Sequence, residues 1–221
     1  MKIDILTLFP SMFNGFLEES IIKRAIANNL IKINIINFRD YSPLNNRQVD
    51  DTPYGGGGGM VLRCEPIFNA VNSLKQADTK VILLTPDGTK FKQRIAQQLS
   101  EYNHLIIICG HYEGFDERIR ALVDMELSIG DYILTGGEIP AMIITDTVVR
   151  LIDGVIKDVS KANESFNNNL LDYPTYTNPA QFEGMSVPDV LLSGNHEQIA
   201  KWRREQQIIK TKTKRPDLIQ K

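Results

Sequence analysis

The sequence predicts an α/β fold, on two observations. Residues 81–85 and 105–109 are unbroken runs of β-branched and leucine side chains, the pattern of strands buried on both faces of a parallel sheet. Such runs alternate with segments whose apolar residues recur at helical spacing, and that alternation marks helices packed on a sheet. With 221 residues, the chain has room for one large domain and a small second one.

The elements follow in order. Residues 3–9 read as a strand, and Pro10-Ser11 opens a helix with Phe13, Phe16, Leu17 and Ile21 on its apolar side. Residues 31–38 read as a second strand. Ile67, Ala70, Val71 and Leu74 stand at i, i+3, i+4 and i+7, one face of a helix. The strand at 81–85 meets the turn signal Pro86-Asp87-Gly88. The strand at 105–109 runs into two glycines, after which Asp116 occupies a helix N-cap position. After Arg150 the texture changes. Residues 158–170 (DVSKANESFNNNL) have little apolar periodicity and read as a flexible connector. Pro174, Pro179 and Pro188 then punctuate a loop-rich stretch, and a last helix begins near Ser193 or Asn195 with Ile199 and Trp202 on its inner face. The expected division is a domain at 1–157, a connector at 158–170 and a small helical domain at 171–221.

Composition narrows the class. At 42% hydrophobic and 24% charged residues, the chain has the make-up of a globular protein rather than a disordered one. Cys64 and Cys109 form no CxxC pair, which excludes a disulfide scaffold or a cysteine zinc site and favours a reducing compartment. No apolar run approaches the ~18 residues of a membrane helix, and the N-terminus lacks a cleavable signal pattern. The expectation is a cytoplasmic protein with no membrane partner. A net charge of −2, taken whole, argues against a nucleic-acid partner. The charge is unevenly spread, however. Residues 196–221 carry eight basic and three acidic side chains, a net of +5, and leave −7 on the rest. Such asymmetry points to contact with phosphates.

Three glycine-bearing segments carry the chemistry. Asp50-Asp51-Thr52-Pro53-Tyr54 leads into Gly55 to Gly59, a run with neither the Gly-Lys-Ser/Thr of a P-loop nor the placement of a dinucleotide fingerprint. On its own it reads as a plain flexible loop or as a surface for close approach. Cys109-Gly110-His111-Tyr112-Glu113-Gly114-Phe115-Asp116-Glu117-Arg118 follows a buried strand, a normal ligand position in an open α/β sheet. Ser128-Ile129-Gly130-Asp131-Tyr132-Ile133-Leu134-Thr135-Gly136-Gly137-Glu138 offers backbone donors and acceptors beside an apolar helix. No basic cluster accompanies these loops, so they suit a ligand held by main-chain contacts and apolar walls, such as an adenosine without phosphates. His104, His111 and His196 lack zinc spacing, and no metal site is expected from them. His111 alone reads as a loop or packing residue.

In this order and spacing, these segments resemble the bacterial tRNA (guanine-N1)-methyltransferase family. The matching stretches are Leu8-Phe9-Pro10-x-Met12-Phe13, Val49-Asp50-Asp51-x-Pro53-Tyr54-Gly55-Gly56-Gly57, Gly110-x-Tyr112-Glu113-Gly114-x-Asp116-Glu117-Arg118, Ser128-Ile129-Gly130-Asp131-Tyr132, Gly136-Gly137-Glu138-x-Pro140-Ala141-Met142 and Val187-Pro188-x-Val190-Leu191-x-Ser193-Gly194-x-His196. The resemblance implies a SPOUT-type α/β domain with a trefoil knot and a small helical C-terminal domain. It implies S-adenosylmethionine as methyl donor, a homodimer with the active site at the subunit interface, tRNA as partner and a dependence on Mg²⁺. The implied cofactor walls are Thr85, Pro86, Gly110, Glu113, Ile129, Gly130, Asp131, Tyr132, Ile133, Leu134, Gly136, Gly137 and Pro140. The implied reaction methylates N1 of the guanine immediately 3′ of the anticodon. Guanine N1 carries a proton, so a general base and a cation near O6 are needed. The family's cation matches Arg150. Its base is an Asp before Ser-Phe, and here Glu164 precedes Ser165-Phe166, a carboxylate one methylene longer. The basic end then reads as a tRNA surface bearing Lys201, Arg203, Arg204 and Lys212.

Two other readings stand beside this one. One is a knotted methyltransferase acting on a ribose 2′-hydroxyl or another RNA base; the other is a non-catalytic RNA-binding assembly factor, which the Asp-to-Glu difference would suit.

Overall fold

Five parallel strands form the sheet that organises the first part of the chain. They are β1 (Lys2–Thr7), β2 (Lys32–Asn37), β5 (Thr79–Lys90), β6 (His104–Ile108) and β7 (Met125–Ser128), in the order β2-β1-β6-β5-β7. A two-residue pair, β3 (Asp50–Asp51) with β4 (Val61–Leu62), stands apart from the sheet. The computed structural model describes residues 1–157 and 164–219. The chain divides into two units, Met1–Ile156 and Lys157–Lys221.

Side chains alternate strictly across the sheet, as the strand period requires. Ile3, Ile5, Ile82, Leu84, Leu105 and Ile107 face one layer, where they pack with Ile22 and Ala25 of α2 (Ser20–Ala27), Ala96 and Leu99 of α4 (Gln93–Ser100), and Ala141, Ile144 and Val148 of α5 (Glu138–Val149). Leu6, Val81, Leu83, Ile106 and Ile108 face the other, against Ile67, Ala70 and Val71 of α3 (Cys64–Leu74). The two apolar runs therefore lie in central strands covered on both sides, as their sequence predicts, and the helical face of 67–71 is wholly buried.

Two local readings differ from the structure. The helix expected from Pro10 onward is broken: a 3-10 turn (Pro10–Phe13) leads into α1 (Asn14–Glu18), and Glu19 is extended before α2 begins. The break lets Phe13 and Ile22 reach one core although no single helix carries them. The Pro86-Asp87-Gly88 turn does not end β5. Leu84 and Thr89 both stand opposite Leu127, so residues 85–88 loop out and the ladder resumes.

At the N-terminal ends of the strands lies a buried polar node. Asp4, fully buried, accepts from Asn34 Nδ2 at 2.6 Å, pairs with Lys2 Nζ at 2.6 Å, and meets His104 Nε2 at 2.9 Å. The other nitrogen of His104 lies 2.7 Å from Thr79 Oγ1. Burial pushes the Asp4 carboxyl up, but the bonds from Lys2, Asn34 and His104 together outweigh it and hold the group below its ordinary range.

The second unit contains a hairpin of β8 (Gln181–Phe182) and β9 (Met185–Ser186), a short α6 (Asp189–Leu192) and the long α7 (His196–Lys214). Asn195 caps α7 by accepting from the Gln198 N–H; Ile199 and Trp202 are half-buried. Of the expected connector, residues 158–163 lie outside the described residues. Residues 164–170 form a turn with its own hydrogen bonds rather than a structureless link. Among the described residues, no helix is long and apolar enough to cross a membrane.

Asp4→Asn keeps the shape of the polar node and removes its charge, and should cost about 2–3 kcal/mol in urea unfolding at pH 7. Because the folded carboxyl is held low, its contribution is present above about pH 4 and is lost as pH falls below it. The gap between wild type and variant should therefore narrow as pH falls below the ordinary carboxylate range.

Candidate functional site

Loops leave the C-terminal ends of β5, β6 and β7 side by side, where open parallel sheets bind ligands. They enclose a cleft of about 470 Å³, within the roughly 300–1,000 Å³ range of small-molecule sites.

One wall is the looped-out segment of β5, where Thr85 and Pro86 face the cleft. The Thr85 hydroxyl donates to Asp87, and this bond, helped by Arg120, holds the Asp87 carboxyl below its ordinary range. Arg120 also lines the cleft. Its guanidinium donates to Asp87 at 2.7 Å, to Glu117 at 3.0 Å and to Glu126, tying three segments together.

The second wall follows β6. A Cβ on Gly110 would stand 2.6 Å from the Phe115 ring, so only glycine admits that ring. The Glu113 N–H donates to Met60 O at 3.0 Å, and Leu62 bridges Phe115. The far end of the glycine run is thereby fastened beside the cleft rather than hanging as a plain loop. Gly59 has φ +82° and sits where a Cβ would fall 2.4 Å from the Glu113 side chain, a place and a conformation open to glycine alone.

The third wall runs from Ser128 to Pro140. Ser128 Oγ accepts from Gly130 N–H, and Tyr132 folds back so that its hydroxyl donates to Ile129 O at 3.4 Å. Gly137 N–H donates to Gly110 O at 2.9 Å, which brings the start of α5 onto the end of β6. A Cβ on Gly137 would be 2.7 Å from Cys109 Cα. Behind this wall the buried Glu138 accepts from Thr7 Oγ1 at 2.7 Å.

Twelve of the thirteen residues expected to hold the cofactor line this cleft: Thr85, Pro86, Gly110, Glu113, Ile129, Gly130, Tyr132, Ile133, Leu134, Gly136, Gly137 and Pro140. Asp131 does not. It is exposed at the tip of the turn, and its carboxylate pairs with Lys90 Nζ at 2.5 Å. Arg120, Phe115 and Ser128 also line the cleft and were not among the residues expected to hold the cofactor. His111, read as a loop or packing residue, lines it too, with its ring 4.7 Å from that of Phe9. Phe115, Ser128 and His111 lie inside the glycine-bearing segments, which were their only local signal; Arg120 lies outside them.

The cleft fits the S-adenosylmethionine implied by the resemblance. Glycine and proline main chain supplies much of its wall, and Arg120, the one Lys or Arg lining it among the described residues, is matched by three carboxylates. Glu113 offers a further negative group to a sulfonium and an ammonium. Burial, with Glu138 nearby, pushes the Cys109 thiol well up, so this cysteine stays protonated and is no nucleophile. Among the described residues, no group of three or more His, Cys, Asp or Glu side chains is arranged to hold a metal ion, so the implied Mg²⁺ has no protein-built cage there.

The two residues expected to act on the guanine are divided between the units. Arg150 closes α5 in the first; Glu164, half-buried, lies in the second. Lys201, Arg203, Arg204 and Lys212 are all exposed on α7, with the Arg203 guanidinium 4.8 Å from the centre of the Tyr173 ring.

A family model described as tRNA (guanine-1)-methyltransferase TrmD matches residues 1–221. Proteins named tRNA (guanine-N(1)-)-methyltransferase resemble the chain closely. The one from Malacoplasma penetrans is 60% identical, covering 99% of this chain and 97% of its own. Those from Staphylococcus carnosus and Dictyoglomus turgidum are 58% and 56% identical, each covering 100% of this chain and 91% of its own.

Gly137→Ala should force backbone apart where α5 meets β6. The expected cost is about 1–3 kcal/mol in thermal unfolding, with a larger proportional loss of ligand affinity in the cleft, measured by calorimetry.

Proposed function

Because this chain belongs to the tRNA (guanine-1)-methyltransferase family, we propose that it methylates N1 of the guanine at tRNA position 37, immediately 3′ of the anticodon. The observation that carries this reading is the glycine-walled cleft at the ends of β5, β6 and β7.

Bound S-adenosylmethionine supplies an electrophilic methyl group on a sulfonium. The cleft's main-chain groups bind and orient the adenosine part, and its apolar walls, Ile129, Ile133 and Leu134, exclude water. Glu113 offsets positive charge at the methionine end. Glu164 takes the proton from guanine N1, and Arg150 stabilises the charge that develops on O6. Glu164 has the chemistry for this role, since it keeps a carboxylate where the resemblance implies an Asp. Lys201, Arg203, Arg204 and Lys212 contact tRNA phosphates, which positions the RNA without reading its sequence.

The same reading includes a homodimer with the site at the subunit interface. Its support is α5, which is apolar on nearly every side. A helix of that kind belongs in a buried setting, yet Ile139 and Ile143, one turn apart, are exposed together with Phe9 and Met12. The trefoil threading also belongs here. Two tight passages of backbone support it: Gly88 against Glu126–Leu127 and Gly137 against Cys109–Gly110, with ideal Cβ positions 2.6–2.8 Å from main-chain atoms.

Tritiated S-adenosylmethionine with two tRNA transcripts, differing only at position 37, tests the reaction. Label should enter the guanine-bearing transcript alone; label in both would point to another RNA methyltransferase, and label in neither to a non-catalytic RNA-binding factor. Glu164→Gln should keep cofactor affinity within about twofold and lower methyl transfer by at least about 100-fold, the scale of a lost general base. Glu164→Asp should retain most of the activity. Replacing Lys201, Arg204 and Lys212 together with Gln should reduce the slope of log affinity for tRNA against log salt by about 2–3.

A further inference from the structure

The only buried residue of α7 is Thr211. Threonine is a mediocre helix former, and a buried hydroxyl is costly unless bonded. Its neighbour two residues on shows what a merely tolerated threonine does. The Thr213 hydroxyl donates to Ile209 O at 2.9 Å in solvent, with its lone pairs left to water. Thr211 has no such access. Its hydroxyl donates its single hydrogen to Gln207 O at 2.6 Å, and its oxygen accepts the Leu171 N–H at 2.9 Å. Both capacities are engaged.

Leu171 ends the turn that begins at Glu164. Within that turn, Phe166 N–H donates to Leu170 O at 2.7 Å, and Asp172 N–H donates to Ser165 Oγ at 3.0 Å. Phe166, Asn168 and Asn169 have left-handed backbone, and the side chain of Leu170 is buried. The residue directly after Glu164 is therefore cross-linked to the residue directly after Leu171. The Arg215 guanidinium, just beyond α7, lies 5.9 Å from the centre of the Phe166 ring. The turn is closed on itself and fastened to the helix at Leu171.

We propose that Thr211 is a positioning residue: its hydroxyl clamps the Glu164-bearing turn to α7, so that the helix carrying the tRNA-binding cations also carries the base. This inference rests on the proposed function. Phosphate contacts on α7 and the orientation of Glu164 are then coupled through one body. The clamp is a single hydrogen bond between a side chain and a main-chain amide, so substitutions at Thr211 address it directly.

The test compares full-length wild type, Thr211→Val and Thr211→Ser. Valine keeps the shape and removes the hydroxyl; serine keeps the hydroxyl. Hydrogen exchange at the Leu171 amide should be roughly fivefold to tenfold faster in Thr211→Val, as for the loss of one hydrogen bond. It should return to near the wild-type rate in Thr211→Ser. With the guanine-37 transcript, Thr211→Val should lower kcat roughly tenfold or more, leave KM for S-adenosylmethionine unchanged, and be rescued by serine. Wild-type exchange and kcat in Thr211→Val would overturn the proposal. So would equal impairment of the valine and serine variants, or a KM effect matching the kcat effect, since either would mark a packing role. If wild type transferred no methyl group, the functional reading would fall, while the exchange comparison would still decide whether the clamp exists.

Discussion

The contact between Gly137 and the Cys109–Gly110 backbone is the constraint on which the first unit's cleft depends. The N–H of Gly137 bonds Gly110 O at 2.9 Å, and a Cβ at Gly137 has no room between the two backbone segments. A contact of main chain on main chain is stiff, since neither partner can change rotamer to relieve it. It holds the first turn of α5 against the end of β6. Gly110, Gly136 and Pro140 are thereby held together in the cleft wall. The buried bond from Thr7 to Glu138 ties the same corner to the end of β1. Three elements distant in sequence thus meet at one point, and the loops between them have little choice of path.

How much of this was legible in the sequence depended on range. The central strands were readable because residues 81–85 and 105–109 are apolar without interruption, and the buried face of α3 because 67, 70, 71 and 74 keep a helical spacing. The continuation of β5 through Lys90 was not, since a proline and a glycine ordinarily end a strand; pairing with Leu127 overrides them. Nothing local marks Asp4 or His104 as partners, because they lie a hundred residues apart and meet only through the β1–β6 register. The cleft's glycines were legible as exposed backbone and through their resemblance to a family motif. Arg120 was not, for its three carboxylates come from a bulge, a turn and a strand. The asparagine run at 167–169 was read as slack, whereas two of the three sit in the left-handed conformation that asparagine tolerates in turns.

Charge is separated along the chain in keeping with two different tasks. Residues 1–195 carry −7 and residues 196–221 carry +5. A cofactor with a sulfonium and an ammonium gains from carboxylates nearby and loses from free cations. In the cleft, Arg120 is already bound three times over. Phosphates require the reverse, and the cations of α7 are exposed to water with their attraction set by ionic strength. Had the two sets of charges been mixed, each site would have weakened the other. The near-neutral total conceals this division and says little about partners.

The same division bears on fidelity. A carboxylate fixed beside a bound methyl donor would offer a base to any nucleophile that diffused in, water included. If Glu164 instead belongs to the body that grips RNA, a competent site forms only when the correct macromolecule has been captured. Binding energy from phosphates remote from the guanine is then spent on assembling the catalytic group, which is how recognition far from the reacting atom raises kcat rather than merely lowering KM. A clamp made of one hydroxyl would suit such a device, because the hydrogen bond from Leu171 to Thr211 joins the turn to the helix.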